Sequence, residues 1–257
     1  MTAPQILTAS SACSALAAIG CAWRVYDQRL IALYPAFFSY LISQAILVSV
    51  SSLADTRSNF YAWLFIFAYP VSWVVYGLMV RELYNQIFKN FPGIAMFGRL
   101  SVYLAVALAG VIAVLSRAAT SRVLTKTSAI LIPLEVTGRN VVFGLALSII
   151  VLLLLISRYP IQLHRNVLVN CVVFGAWLLA EATLMLAEHL TNLNRTVPLD
   201  VALMVFNIGC FAVWGFLLSP QGATRFIHIH HFSPKDERRL MGQLDSLNAL
   251  GVRASRK

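Results

Sequence analysis

Glu181 offers the clearest chemistry in this sequence, because its carboxyl sits inside a continuously apolar run from Val167 to Ala187. A chain entering a bilayer at Val167 reaches Glu181 after about 21 Å of helical rise, roughly 9 Å short of the far surface of a ~30 Å hydrocarbon layer. A bare carboxylate at that depth is unfavourable. The acid must be protonated, pair with a cation or face a wet cavity. Glu135 and Arg139 stand one helical turn apart on a single face and can pair. Counting back about twenty residues from Ser157 puts Gly138 near the outer edge of its span, with Arg139 just inside and Glu135 a turn further out. The two runs are joined by a short loop and are expected neighbours. The expected site is therefore a polar cluster of Glu135, Arg139 and Glu181 in the outer half of a helix bundle, acting either as an ion pair that fixes helix rotation or as a ligand or proton site.

Other ionisable groups lie nearer the predicted ends of spans. Glu82 follows Arg81, and an adjacent pair of opposite charges reads as a solvated boundary. Glu188 lies on the same helical face as Glu181 and is expected at the outer rim. His228, His230 and His231 are close enough in sequence to hold a transition metal, but no carboxylate or thiol completes a first shell. The stretch reads instead as an amphipathic connector, and no cofactor or metal is expected. Beyond it, Ser233 is a candidate N-cap, Pro234 a first helical residue and Asp236 the end of an S-x-x-D signature. Leu240, Leu244 and Leu247 follow at helical spacing, with Gly251 as a stop. This predicts an amphipathic helix over about 234–250 whose leucine stripe needs a partner. The candidates are lipid headgroups, with Lys235, Arg238 and Arg239 assisting, another tail, or a cytoplasmic protein.

The elements that position these groups are apolar runs long enough to span a bilayer. They are Ile6 to Trp23, Leu33 to Leu53, Phe60 to Val80, Leu100 to Leu115, Pro133 to Ser157, Val167 to Ala187 and Val197 to Leu218. With 59% hydrophobic and 12% charged residues, the chain has far less charge than the roughly 25% of a soluble domain. Backbone groups must be paired internally in lipid, and the runs lack the alternation of barrel strands, so helices are predicted. The expected fold class is all-α: a polytopic bundle of seven transmembrane helices over residues 1–218, followed by a basic tail, 219–257, with its short cytoplasmic amphipathic helix. Pro70 falls midway along the third run and is expected to kink it.

The net charge of +10 follows topology, so nucleic acid is not an expected partner; the lipid bilayer is. Assigning alternate loops to one side gathers Arg24, Arg29, Arg81, Lys89, Arg99, Arg158 and Arg165 with the basic tail, against Arg57, Arg117, Arg122, Lys126 and Arg195 on the other. The Lys/Arg excess marks the cytoplasmic face, which predicts an inner-membrane protein with its amino terminus outside and its tail in the cytoplasm. The first positive charge follows the first apolar run, so that run is expected to be an uncleaved helix. Trp23, Tyr26, Tyr34, Tyr61, Trp63, Tyr84 and Tyr159 lie near predicted boundaries and fit interfacial belts. Cys13, Cys21, Cys171 and Cys210 all fall within spans and read as small packing residues. Asn194, Arg195 and Thr196 form an acceptor sequon in a predicted outer loop.

Several activities lack their residues. The seventh run contains no Lys for a retinal Schiff base, and H-E-x-x-H, G-x-S-x-G and P-loop patterns do not occur. A conventional enzyme is not expected. The chain resembles a group of bacterial seven-helix membrane proteins without an established activity, through Tyr34-Pro35-Ala36-Phe37-Phe38-Ser39-Tyr40-Leu41 and Phe60-Tyr61-Ala62-Trp63. Further matching features are Arg81-Glu82-Leu83-Tyr84 followed by Phe91-Pro92-Gly93, the Glu135/Arg139 helix, and Phe174-Gly175 leading to Glu181. In that pattern an Arg directly follows the fifth-span Glu, where this chain has Val136. The resemblance covers roughly Tyr34 to Glu188 and implies architecture alone. The expected function is a receptor-like or scaffolding membrane module coupling the outer polar cluster to the tail, through a cytoplasmic partner or self-association; the alternative is a transporter of a small solute or protons.

Overall fold

The computed structural model describes residues 3–53, 59–89, 91, 93, 94, 96, 103, 107, 128–161, 163–191, 197–227 and 234–254. Long helices dominate: α1 (Ala3–Asp27), α2 (Pro35–Leu53), α3 (Asn59–Ile87), α4 (Ser128–Arg158), α5 (Arg165–Thr191) and α6 (Val197–Leu217), followed by short α7 (Pro220–Thr224) and tail helix α8 (Pro234–Ala254). Five of them, α1, α2, α4, α5 and α6, are long and apolar enough to cross a membrane. The expected third run forms part of α3, which stays helical through Pro70. The expected fourth, Leu100 to Leu115, falls largely outside the described residues, so the described helices carry five such spans against the seven expected.

The six long helices close a ring. Helix α1 packs against α2 and α6, α3 bridges α2 and α4, and α5 bridges α4 and α6 while also touching α3. Without a strong hydrophobic drive between helices in lipid, close van der Waals contact has to hold such a ring together. Gly175 of α5 supplies one such approach, since a Cβ there would stand 2.7 Å from Cγ2 of Ile149 on α4.

Aromatic rings fill the centre. Tyr40 of α2 is fully buried and lies edge-on to Trp177 of α5 and Trp214 of α6, with centroids 5.7 and 5.8 Å away. Tyr76 meets Trp177 at 5.0 Å, and Phe37 meets Trp214 at 5.1 Å. Each edge-to-face pair adds about 0.5–1.5 kcal/mol beyond area burial, so the cluster is a rigid plug.

At the end of the ring that bears the tail, the connections are short and tied down. Arg29 closes α1 in the left-handed region at φ 55°, leading into a 3-10 turn (Leu30–Ala32). A two-residue antiparallel ladder joins β1 (Leu163–His164) to β2 (Phe226–Ile227), and the His164 and Phe226 rings lie 4.3 Å apart. Between them, Asn166 donates to the Ser219 carbonyl at 2.8 Å, and Ser219 caps α7 through Gly222. Helix α8 then folds back onto the bundle. Its Leu244 is fully buried in the continuous core, with Met241 packed alongside, and Asn248 Oδ1 accepts from the Gly93 backbone N–H at 2.7 Å.

Candidate functional site

Glu181 lines a cavity of about 190 Å³ in the half of the bundle away from α8. Its polar wall is drawn from five helices: Ser14 of α1, Gln44 of α2, Tyr69 and Tyr76 of α3, Glu181 of α5 and Asn207 of α6. Trp177 and the side chains of Leu47, Val48, Leu203 and Met204 supply the rest of the surface with Ala68. The register explains the convergence, because Trp177 and Glu181 are one turn apart on α5 and both face inward.

Hydrogen bonding in the wall is uneven. Gln44 Nε2 donates to the Tyr76 hydroxyl at 2.9 Å, an inter-helix bond that fixes both side chains. Ser14 Oγ and Asn207 Oδ1 are buried with no partner. Buried polar atoms without partners are uncommon in folded proteins, and their presence in a cavity wall points to something that fills it. Glu181 also interacts electrostatically with Tyr76 and Tyr40. Tyr76 and Trp177 therefore belong to both structures, forming the cavity wall and the upper edge of the aromatic plug.

The remaining expected site residues divide. Arg139 is half-buried on α4 and is not among the described lining residues of the cavity. Glu135 lies within α4 and Glu188 within α5, but their side chains fall outside the described residues, as do His228, His230, His231 and the Asn194 sequon. Among the described residues no group of three or more His, Cys, Asp or Glu stands together to hold a metal. In the tail, Leu240 is half-buried, Leu244 fully buried and Leu247 exposed, while Arg238 and Arg239 are exposed and the Lys235 side chain lies outside the described residues. Arg239, Leu240 and Gln243 join Asp236 and Arg158 around a cleft of about 410 Å³ between α8 and the end of α4. The leucine stripe thus has its own bundle as a partner over part of its length.

Glu82 differs from the expected solvated boundary. It is half-buried, and its Oε2 accepts from the Ala36 backbone N–H at 2.7 Å, with Phe37 N–H as a second donor. This accounts for the start of α2: Pro35 has no N–H, Ala36 and Phe37 are held by Glu82, and Phe38 N–H reaches the Tyr34 carbonyl. Glu82 lies beyond the apolar stretch that ends at Val80, and burial pushes its carboxyl up to about 7, against the pull of the two backbone donors. Tyr34 and Tyr84 depart from the interfacial belt too. Both are buried, Tyr34 hydrogen-bonding Asn166 and Tyr84 donating to the Ser148 carbonyl at 2.9 Å. Trp23, Tyr26 and Trp63 are exposed, as a lipid-facing belt requires.

Sequence reasoning found Glu181 and missed Ser14, Gln44, Tyr76 and Asn207, because it weighed charge above neutral polarity. The usable signal was an amide in each of two apolar runs, Gln44 and Asn207. No known protein family, curated protein or solved structure matches the chain. The resemblance to bacterial seven-helix proteins therefore gains no support from these comparisons, and any function has to be argued from the cavity.

Proposed function

We propose that this chain is a receptor-like membrane module that receives a small ligand in the cavity at Glu181 and reports it through the tail helix at the opposite end. In this reading the chain crosses the bacterial inner membrane seven times, with the amino terminus outside and the tail in the cytoplasm, as the Lys/Arg distribution favours. Glu135 and Arg139 are proposed members of the same outer polar cluster. The observation that carries the reading is the continuous packing of Tyr76 and Trp177, which wall the cavity, onto Tyr40, then Trp214 and Phe37 near the tail end. A plug of close-packed rings transmits displacement, because packed cores are poorly compressible. It also separates the cavity from the tail end, which suits a dead-end pocket better than a conduit.

Filling the cavity tests the coupling without any ligand. Ser14→Phe places a ring where the ligand would sit, and amide hydrogen exchange of residues 234–254 is then expected to change relative to the wild type. Unchanged exchange in a folded variant overturns the reading. A carboxyl within a span also favours transport of a small solute or protons as a second reading. Proton flux into vesicles that Glu181→Gln abolishes would establish that reading instead. The exposed Leu247 and Leu250 of α8 are where a cytoplasmic protein or a second tail would bind.

A further inference from the structure

We propose that the cavity binds a small organic ammonium ion, with Glu181, Asn207 and Ser14 taking its N–H groups and Trp177 covering its positive charge. The inference deepens the receptor reading and rests on the cavity being a ligand site.

Three features of the wall select this chemistry. The first is a group of acceptors, two of them without partners. Glu181 brings a carboxyl, Asn207 Oδ1 is buried without a donor, and Ser14 Oγ is buried without a partner. One of the two Gln44 amide N–H groups is already engaged by the Tyr76 hydroxyl at 2.9 Å. Among the described residues the lining contains no Lys or Arg. A carboxylate or phosphate entering here would meet a second acid, Glu181, and no Lys or Arg among the described lining residues, at a depth where added negative charge is expensive.

The second feature is the aromatic share. Tyr69, Tyr76 and Trp177 all line the cavity, and a ring face turned toward it would attract a cation by about 0.5–2 kcal/mol as water is excluded. An anion gains nothing from those faces. The third is size. About 190 Å³ is below the ~300–1,000 Å³ of pockets that hold drug-sized ligands, while Leu47, Val48 and Leu203 leave an apolar surface for a short alkyl chain. An ammonium group would satisfy the orphaned acceptors and place its charge beside the Glu181 carboxyl, in charge-assisted hydrogen bonds stronger than neutral ones.

Three probes of similar size separate charge from bulk: propylammonium, propionate and propanol, titrated into the full-length protein in nanodiscs of zwitterionic lipid with melting temperature and calorimetry as readouts. Propylammonium is expected to bind and raise the melting temperature while the other two do not. Glu181→Gln is expected to weaken binding by about tenfold or more, as loss of a hydrogen bond to a charged group does. Ser14→Phe, which keeps Glu181 and occupies the space, should abolish it. Equal binding of propanol or propionate, binding that survives Ser14→Phe, or no binding by any probe overturns the proposal. The outcomes also separate it from the reading beneath it. Propanol or propionate binding that Ser14→Phe removes leaves a ligand site of different chemistry, whereas propylammonium binding without altered tail exchange leaves the ammonium site and removes the coupling.

Discussion

The Glu82 carboxylate accepts the Ala36 backbone N–H at 2.7 Å, so the last turns of α3 cap the first turn of α2. Helix starts usually carry their own Ser, Thr, Asp or Asn cap; this one has Tyr34 and Pro35, and borrows an anion from a neighbour 46 residues away.

The burial of that borrowed cap, which outweighs the pull of its two backbone donors, makes stability depend on pH in a stated direction. The Glu82 carboxyl lies at about 7 against an ordinary 4.5, so the folded protein holds more protons than the unfolded chain between these values. By linkage, stability is greatest at the acidic side of this window, falls as pH rises through it and levels off above about 7. Melting temperature measured from pH 4.5 to 8 is expected to show this decline, and Glu82→Gln should flatten it. A decline that persists unchanged in Glu82→Gln places the titration elsewhere.

Gly93 is expected to be intolerant of any side chain. A Cβ there runs into the backbone carbonyl of Asn248, which cannot rotate away, so Gly93→Ala should lift α8 from the bundle at a cost of about 1–3 kcal/mol. Asn248→Ala removes only the side-chain acceptor and should cost about 1 kcal/mol. Limited proteolysis within residues 234–254 reads both, and equal sensitivity of the two variants would contradict the steric account.

The tail leucines should separate by burial. Leu244 is fully buried while Leu250 is 59% exposed. Leu244→Ala is expected to destabilise tail docking by about 2–5 kcal/mol, and Leu250→Ala by no more than about 0.5 kcal/mol. Hydrogen exchange along α8 distinguishes them, and similar effects at both positions would mean that the helix is seated otherwise.

Gly175→Leu should force α4 and α5 apart, because even a Cβ would approach Ile149 Cγ2 to 2.7 Å. The loss is expected at about 1–3 kcal/mol, with recovery when Ile149→Ala makes room. Thermal melting of the two single variants and the double variant closes this cycle, and strict additivity would rule the contact out.

Much of the architecture was legible because lipid imposes simple rules. Apolar length places the spanning helices, and Ser233 with Pro234 marks the start of α8, which begins at Pro234. Glu181 was legible because a carboxyl within an apolar run is costly. What escaped depends on rotation about helix axes. Periodicity cannot say that Tyr34 and Tyr84 turn inward to Asn166 and Ser148, nor that Glu82 reaches α2. Nor does spacing distinguish Leu244, which is fully buried, from Leu247, which is exposed.

Of the five tryptophans, Trp23 and Trp63 are exposed, whereas Trp214 is sealed within the ring and Trp177 walls the cavity. The protein thus carries its own optical reporter. Brominated lipid should dim the first two indoles and spare Trp177 and Trp214, and with half-buried Trp73 replaced by Phe the change in surviving emission registers what enters beside Glu181 without any attached dye.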